Sequence, residues 1–349
     1  MGVDSEGRVA GPVRRSVLTA LPAGLALTAL AACTSGGDRT GDPTGRPTSG
    51  RTTSAPSADD LARARAVATA RDLLARVTAA TSLPREVRDA VAAGHRAQLV
   101  ALGAADAPLV SAPASPSATA TPDRPSAAAV VSGETAGARE ALADLAGVGR
   151  EVATVLVRVA AARAAHADVV ARAADRPVPG TLAVPAAARG TGAADPATDP
   201  AAGTPTATGA SPSPTLAAPD VEALSRLVEA EHAAVFGYAL VVPRVADARQ
   251  DLARRLWEAH RSARDLVEST VVAAGAEPPA ALPAYAVDVP ASSGEAADLA
   301  ARIEGGLAAV AVWSAGRGTG PVRARAADLA VAATRDQARW LGAVPAFTV

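Results

Sequence analysis

Apolar residues recur at helical spacing along this chain in eight stretches, and no stretch keeps up the alternation of a half-buried strand. The first predicted helix runs from Ala58 to about Ala80, with Leu61, Ala64, Val67, Leu73, Leu74 and Val77 on its stripe and Asp59 or Asp60 available to cap its start. Pro84, a natural first-turn residue, opens a second helix with the stripe Val87, Val91, His95, Leu99, Leu102. A third is predicted from about Glu134 to Ala146. A fourth runs to about Ala174 with Val152, Val155, Val159, His166 and Val169/Val170. After a long interruption, Asp220 is expected to cap a fifth helix striped by Leu224, Leu227/Val228, Glu231, Val235, Tyr238 and Val241/Val242, which Pro243 ends or kinks. The sixth, from about Asp247 to Ala274, aligns Leu252, Leu256, His260, Ala263, Val267 and Val271. The seventh, from about Ser293 to Ala315, aligns Leu299, Ile303, Leu307 and Val310. The eighth runs from Pro321 to about Leu341 with Val322, Ala326, Leu329, Ala333, Asp336 and Trp340. The predicted fold class is all-α.

The connections group these helices. Both halves follow a short, long, short order. A helix of 25 residues is about 38 Å long. The 17 residues from Ala276 to Ser292 can reach about 55 Å when extended. They can therefore run the length of a bundle and start the seventh helix at its opposite end. One long crossover of this kind is the ferritin-like arrangement. The phrase His95-Arg96-Ala97-Gln98-Leu99 before a Gly-Ala turn is echoed by His260-Arg261-Ser262-Ala263-Arg264 before Gly275-Ala276. A tandem of two related bundles is expected. All Trp, Tyr and Phe residues lie after position 235, so the first bundle packs on Ala, Val and Leu and should be the thinner and less stable one.

Composition separates the helices from their tethers. Thr34 to Ser57, Asp106 to Ser132 and Arg176 to Ala217 are rich in Pro, Gly, Ser, Thr and Ala and bury too little apolar surface to offset ordering. The expected organisation is a signal peptide over 1–32, a flexible tether over 33–57, a helical module over 58–175, a linker over 176–217 and a second helical domain over 218–349. Net charge is −1. Neither Lys nor Asn occurs, and no basic block resembles a nucleic-acid footprint, so nucleic acid is not an expected partner.

The start of the chain is an address. Arg8, Arg14 and Arg15 form a basic region, and Val17 to Leu30 an apolar one of signal-peptide length. The run ends in Leu30-Ala31-Ala32-Cys33, which resembles a bacterial lipobox. Cys33 would then be the lipidated residue, holding the protein on the extracytoplasmic face of a membrane through several acyl chains. Arg14-Arg15-Ser16-Val17-Leu18 also resembles a twin-arginine export signal. Cys33 is the single cysteine, so neither an internal disulfide nor a thiolate metal ligand is expected in the lipidated protein.

The stretch Glu229-Ala230-Glu231-His232-Ala233-Ala234-Val235-Phe236-Gly237-Tyr238 resembles the opening helix of a ferritin-like domain family of unknown function found in bacterial, actinobacterial-type lipoproteins. Ala259-His260-Arg261, Pro278-Pro279 with Pro283-Ala284-Tyr285, and Trp340 with Ala346-Phe347 fit the same family. The likeness covers about Leu216 to Val349. It implies a four-helix ferritin-like bundle and brings no activity with it.

Four polar groups fall near the middle of the last four helices: Glu231, His260 and Asp336 on their stripes, Glu304 beside its stripe. In a dry core such groups need partners. A di-iron carboxylate site takes a Glu from each of two helices and a Glu-x-x-His pair from each of the other two. Here Trp257 stands three residues before His260, and Arg339 three after Asp336, so at most four of six ligands remain. Two expectations follow. Glu231, His260, Glu304 and Asp336 could hold one divalent iron or manganese ion. Alternatively no cofactor is bound, Arg261, Arg264, Arg335 or Arg339 neutralise the acids, and His260 is a hydrogen-bonded core residue. His95 and His166 are expected to be packed or capped, and His232 to lie at the rim. Gly316-Arg317-Gly318-Thr319-Gly320 is a helix–helix turn, not a phosphate loop, and no nucleophile elbow occurs. The expected function is a non-enzymatic, membrane-anchored scaffold that binds an envelope protein or a small ligand; the alternative is an envelope metalloprotein or oxidoreductase.

Overall fold

The computed structural model describes residues 55–104, 124–189 and 216–347. The expected signal peptide, the lipobox-like motif with Cys33, the twin-arginine-like motif and most of the expected tether and linker lie outside these residues. Eight α-helices form, and no strand occurs among the described residues: α1 Ala58–Ala79, α2 Arg85–Ala101, α3 Ala127–Ala143, α4 Arg150–Ala173, α5 Ala218–Val241, α6 Asp247–Ala273, α7 Ser293–Arg317 and α8 Gly320–Leu341. No helix among the described residues is long and apolar enough to cross a membrane.

Most boundaries fall within a few residues of the periodicity. The exception is α3, which begins seven residues before the predicted start, inside the predicted loop of low complexity. The side chain of Ser126 accepts from the amide of Ala129 and starts the helix there. Glu134 therefore sits in mid-helix rather than in a frayed first turn. The start of α1 also differs. Ser57 is the cap, in a reciprocal capping box with Asp60, and Asp59 is free for other work.

Asp59 instead accepts from the amide of Gly149, the residue that caps α4. In the second bundle Asp220 does not cap its own helix either. It accepts from the amide and hydroxyl of Thr319, which caps α8. In both bundles, then, an aspartate at the start of the first helix holds the start of the fourth, where a negative charge meets the positive end of the helix dipole.

The modules are not separated in space. Helix α4 packs on α7 and α8, and one apolar core runs from Leu142 and Leu156 through Leu224, Leu227, Val312 and Val331. Gly316 of α7 comes so close to the Thr154 side chain of α4 that a Cβ would collide with it. Residues 176–189, predicted as linker, are docked: Leu182 and Val184 are buried in that core, and the amide of Val184 donates to Asp328 of α8 at 2.6 Å. The crossover between α6 and α7 is tied down by a ring contact of Phe236 with Tyr285 at 5.1 Å and by His232, whose Nε2 lies 3.2 Å from the Pro279 carbonyl.

Candidate functional site: two buried histidine–carboxylate clusters

In the second bundle α5 carries Glu231 and Tyr238, α6 His260, α7 Glu304 and α8 Trp340, all buried. The imidazole of His260 lies between the two acids. Its Nδ1 is 2.9 Å from Glu231 Oε2 and its Nε2 is 3.1 Å from Glu304 Oε1. The Tyr238 hydroxyl donates a short hydrogen bond to the same Glu304 oxygen, and Trp340 Nε1 donates to the Tyr238 oxygen at 2.9 Å. Burial pushes the His260 pKa down, but the hydrogen bonds and charges of Glu231 and Glu304 outweigh it and lift it to about 10. The ring is thus an imidazolium at neutral pH, donating from both nitrogens. Burial raises the pKa of Glu231 against the opposing pull of His260, and burial together with the nearby Glu304 raises that of Tyr238.

Three of the four residues expected to form a polar core therefore meet. Asp336 does not join the chain of hydrogen bonds; it pairs with Arg339 on its own helix. Burial and the charge of Glu304 lift its pKa to about 6. Of the arginines expected to neutralise these acids, Arg339 does so for Asp336. Arg335 is spent on Asp168 of α4, at 2.9 and 3.0 Å. Arg261 stacks over Trp257, and Arg264 bonds Asp265. The cation facing Glu231 is His260. Glu231 Oε1 and Glu304 Oε2 remain without a hydrogen-bond partner. His232 is half-buried and pairs with Glu268 at 3.1 Å.

The first bundle holds a counterpart. His95 on α2, Glu134 on α3 and His166 on α4 are all fully or almost fully buried. His95 Nε2 lies 2.6 Å from Glu134 Oε1, and His166 Nδ1 lies 3.6 Å from Glu134 Oε2. The two rings meet edge to face with centroids 5.0 Å apart. Burial pushes the Glu134 pKa up, but the charge of His95 and the contacts with both imidazoles outweigh it and hold it at about 2. Burial lowers that of His166. His166 and Asp336 occupy the same place in their helices, each sixteen residues past the first. The proportions are inverted between bundles: one imidazole between two carboxylates in the second, one carboxylate between two imidazoles in the first. Periodicity had placed His95 and His166 on buried stripes. Their partner Glu134 escaped notice because α3 begins inside a sequence with loop composition.

No match was found among curated proteins. Among solved structures, the crystal structure of a conserved hypothetical protein, Rv2844, from Mycobacterium tuberculosis is 27% identical over 35% of this chain and 95% of that one, with a TM-score of 0.34. Residues 223–348, the segment that carries Glu231, Tyr238, His260, Glu304 and Trp340, match the family model described as a domain of unknown function, DUF4439.

Proposed function

We propose that this protein is a lipid-anchored lipoprotein of the bacterial envelope whose second bundle is a ferritin-like, non-catalytic scaffold for an envelope protein or a small ligand. One observation carries the scaffold assignment. The polar groups in the middle of that bundle are turned on one another, with the His260 imidazolium lying between Glu231 and Glu304 and supplying the positive charge that a metal ion would otherwise bring. Anchoring rests on Leu30-Ala31-Ala32-Cys33 and the apolar run before it. Fractionation of cells expressing the full chain tests it. Cys33→Ala should move the protein out of the membrane fraction, and unchanged retention would refute the anchor.

A metalloprotein is the second function to be considered, because two buried carboxylate oxygens, Glu231 Oε1 and Glu304 Oε2, have no partner and could turn toward an iron or manganese ion if His260 gave up a proton. Asp336 would have to leave Arg339 to complete the set. Elemental analysis of the purified chain decides between the two. Stoichiometric iron or manganese that disappears in Glu231→Ala would replace the scaffold with a metal centre.

A further inference from the structure

We propose that His95, Glu134 and His166 form a second, separate site in the first bundle, one that takes a divalent transition-metal ion of the zinc class. Two imidazole nitrogens and a carboxylate oxygen, contributed by three different helices, all lie within 4.8 Å of one another. Zinc holds such ligands at about 2.0–2.2 Å in a tetrahedron, which sets neighbouring ligand atoms about 3.3 Å apart. The 3.6 Å between His166 Nδ1 and Glu134 Oε2 is already near that spacing. The 2.6 Å contact of His95 Nε2 with Glu134 Oε1 is a hydrogen bond. The ion would replace its hydrogen, which leaves to solvent, and the two atoms would part by about 0.7 Å to reach that spacing.

The cluster is incomplete without an occupant. Glu134 Oε2 and His166 Nδ1, two of the atoms that would face the ion, are buried and make no hydrogen bond, a costly arrangement for groups this far from water. The nearest cation does not resolve it. Arg163, one turn before His166 on α4, gives its donors to Gln98 Oε1 and to the carbonyls of Gly137 and Ala66. The site is also shaped for the ring that would bind. A Cβ on Gly94 would stand 2.6 Å from His166 Nε2, so only glycine lets that imidazole lie against α2. The contrast with the second bundle is chemical. There the ring of His260 bridges two carboxylates through both nitrogens; here two rings converge on one carboxylate, the donor set that suits zinc or ferrous iron.

Because the site is closed to solvent, the test is refolding of the full chain with one equivalent of zinc chloride, followed by dialysis and elemental analysis. One zinc per chain and a raised thermal midpoint are expected, with a visible absorption band when cobalt(II) replaces zinc. Glu134→Gln and His166→Gln should each bind at least about a hundredfold more weakly, while Glu231→Gln keeps the metal. Far-UV circular dichroism checks that each variant is helical. If either glutamine variant fails to fold, Gly94→Ala serves instead, since it displaces His166 and keeps all three ligands in the sequence. A folded chain that retains no zinc overturns the site, as does zinc retained in both glutamine variants, or zinc lost in Glu231→Gln alone. That last result would place the ion in the second bundle and would count against the scaffold as well.

Discussion

At the scale of single residues, His260 lies between two buried acids, Glu231 and Glu304. Replacing it by Gln leaves Glu231 and Glu304 facing each other in a buried site. Loss of one partner of a buried pair costs about 3–5 kcal/mol, and His260→Gln should lower the stability of the second bundle by that order in urea titrations. Adding Glu231→Gln should recover part of the loss. Tyr238→Phe is milder. It removes a donor from Glu304 and strands Trp340 Nε1, a change of about 1–3 kcal/mol that Trp fluorescence would register.

The pH dependence of the two clusters runs in opposite directions. His260 has a folded pKa of about 10, above its ordinary 6.5. Its contribution is therefore full below pH 6.5 and is lost as pH rises through about 10. Glu134 is held at about 2, below its ordinary 4.5. Its contribution is full above pH 4.5 and is lost as pH falls through about 2. Circular dichroism melts across pH should show the second bundle failing first in base and the first bundle failing first in acid. All three Trp residues belong to the second bundle, so fluorescence should follow the alkaline loss alone.

At the scale of helices, legibility depended on whether a periodic stripe had polar punctuation at its ends. Helices α5 to α8 match the expected spans within a few residues, because Asp220, Pro243, Ser293 and Pro321 mark their ends and large side chains mark their inner faces. The beginning of α3 was hidden. Ala127 to Val131 belongs by composition to the preceding Pro/Ser/Ala/Thr run, and only the side chain of Ser126, meeting a backbone amide, separates helix from loop. The candidate site was half legible for the same reason. Glu231 and His260 fall on clear stripes and Glu304 beside one, all at similar depth, whereas Glu134 lay outside any predicted stripe. Asp336 was on its stripe, but periodicity does not tell an acid that joins a network from one closed off by Arg339 a turn away. The capping aspartates were misassigned because a carboxylate near a helix start reads as a cap for that helix. Asp59 and Asp220 reach across to another helix, a contact with no local signature. The local cap at Ser57 remains testable. Ser57→Ala should cost about 1 kcal/mol and fray α1, visible as faster amide exchange in its first turn.

At the scale of the molecule, Asp168 and Arg335 join the bundles. The guanidinium makes two bonds to the carboxylate and two more to the carbonyls of Pro179 and Gly180, so α8, α4 and the docked segment share one buried ion pair. With this pair in place, thermal unfolding near neutral pH should be a single cooperative transition. Asp168→Ala leaves Arg335 buried without its counter-ion. It should cost about 3–5 kcal/mol and split the calorimetric endotherm in two, with the aromatic-poor first bundle melting at the lower temperature.

The same pair orders events in time. Asp168 leaves the ribosome 167 residues ahead of Arg335, and α4 has no finished surface until α7 and α8 exist. A nascent chain halted at Arg189 would present a buried-to-be carboxylate and an apolar helix face to whatever is near. The first bundle therefore waits for the last helix. Maturation should be gated by synthesis of the C-terminus, and chains shortened before α8 should be cleared by proteases instead of accumulating as a stable half.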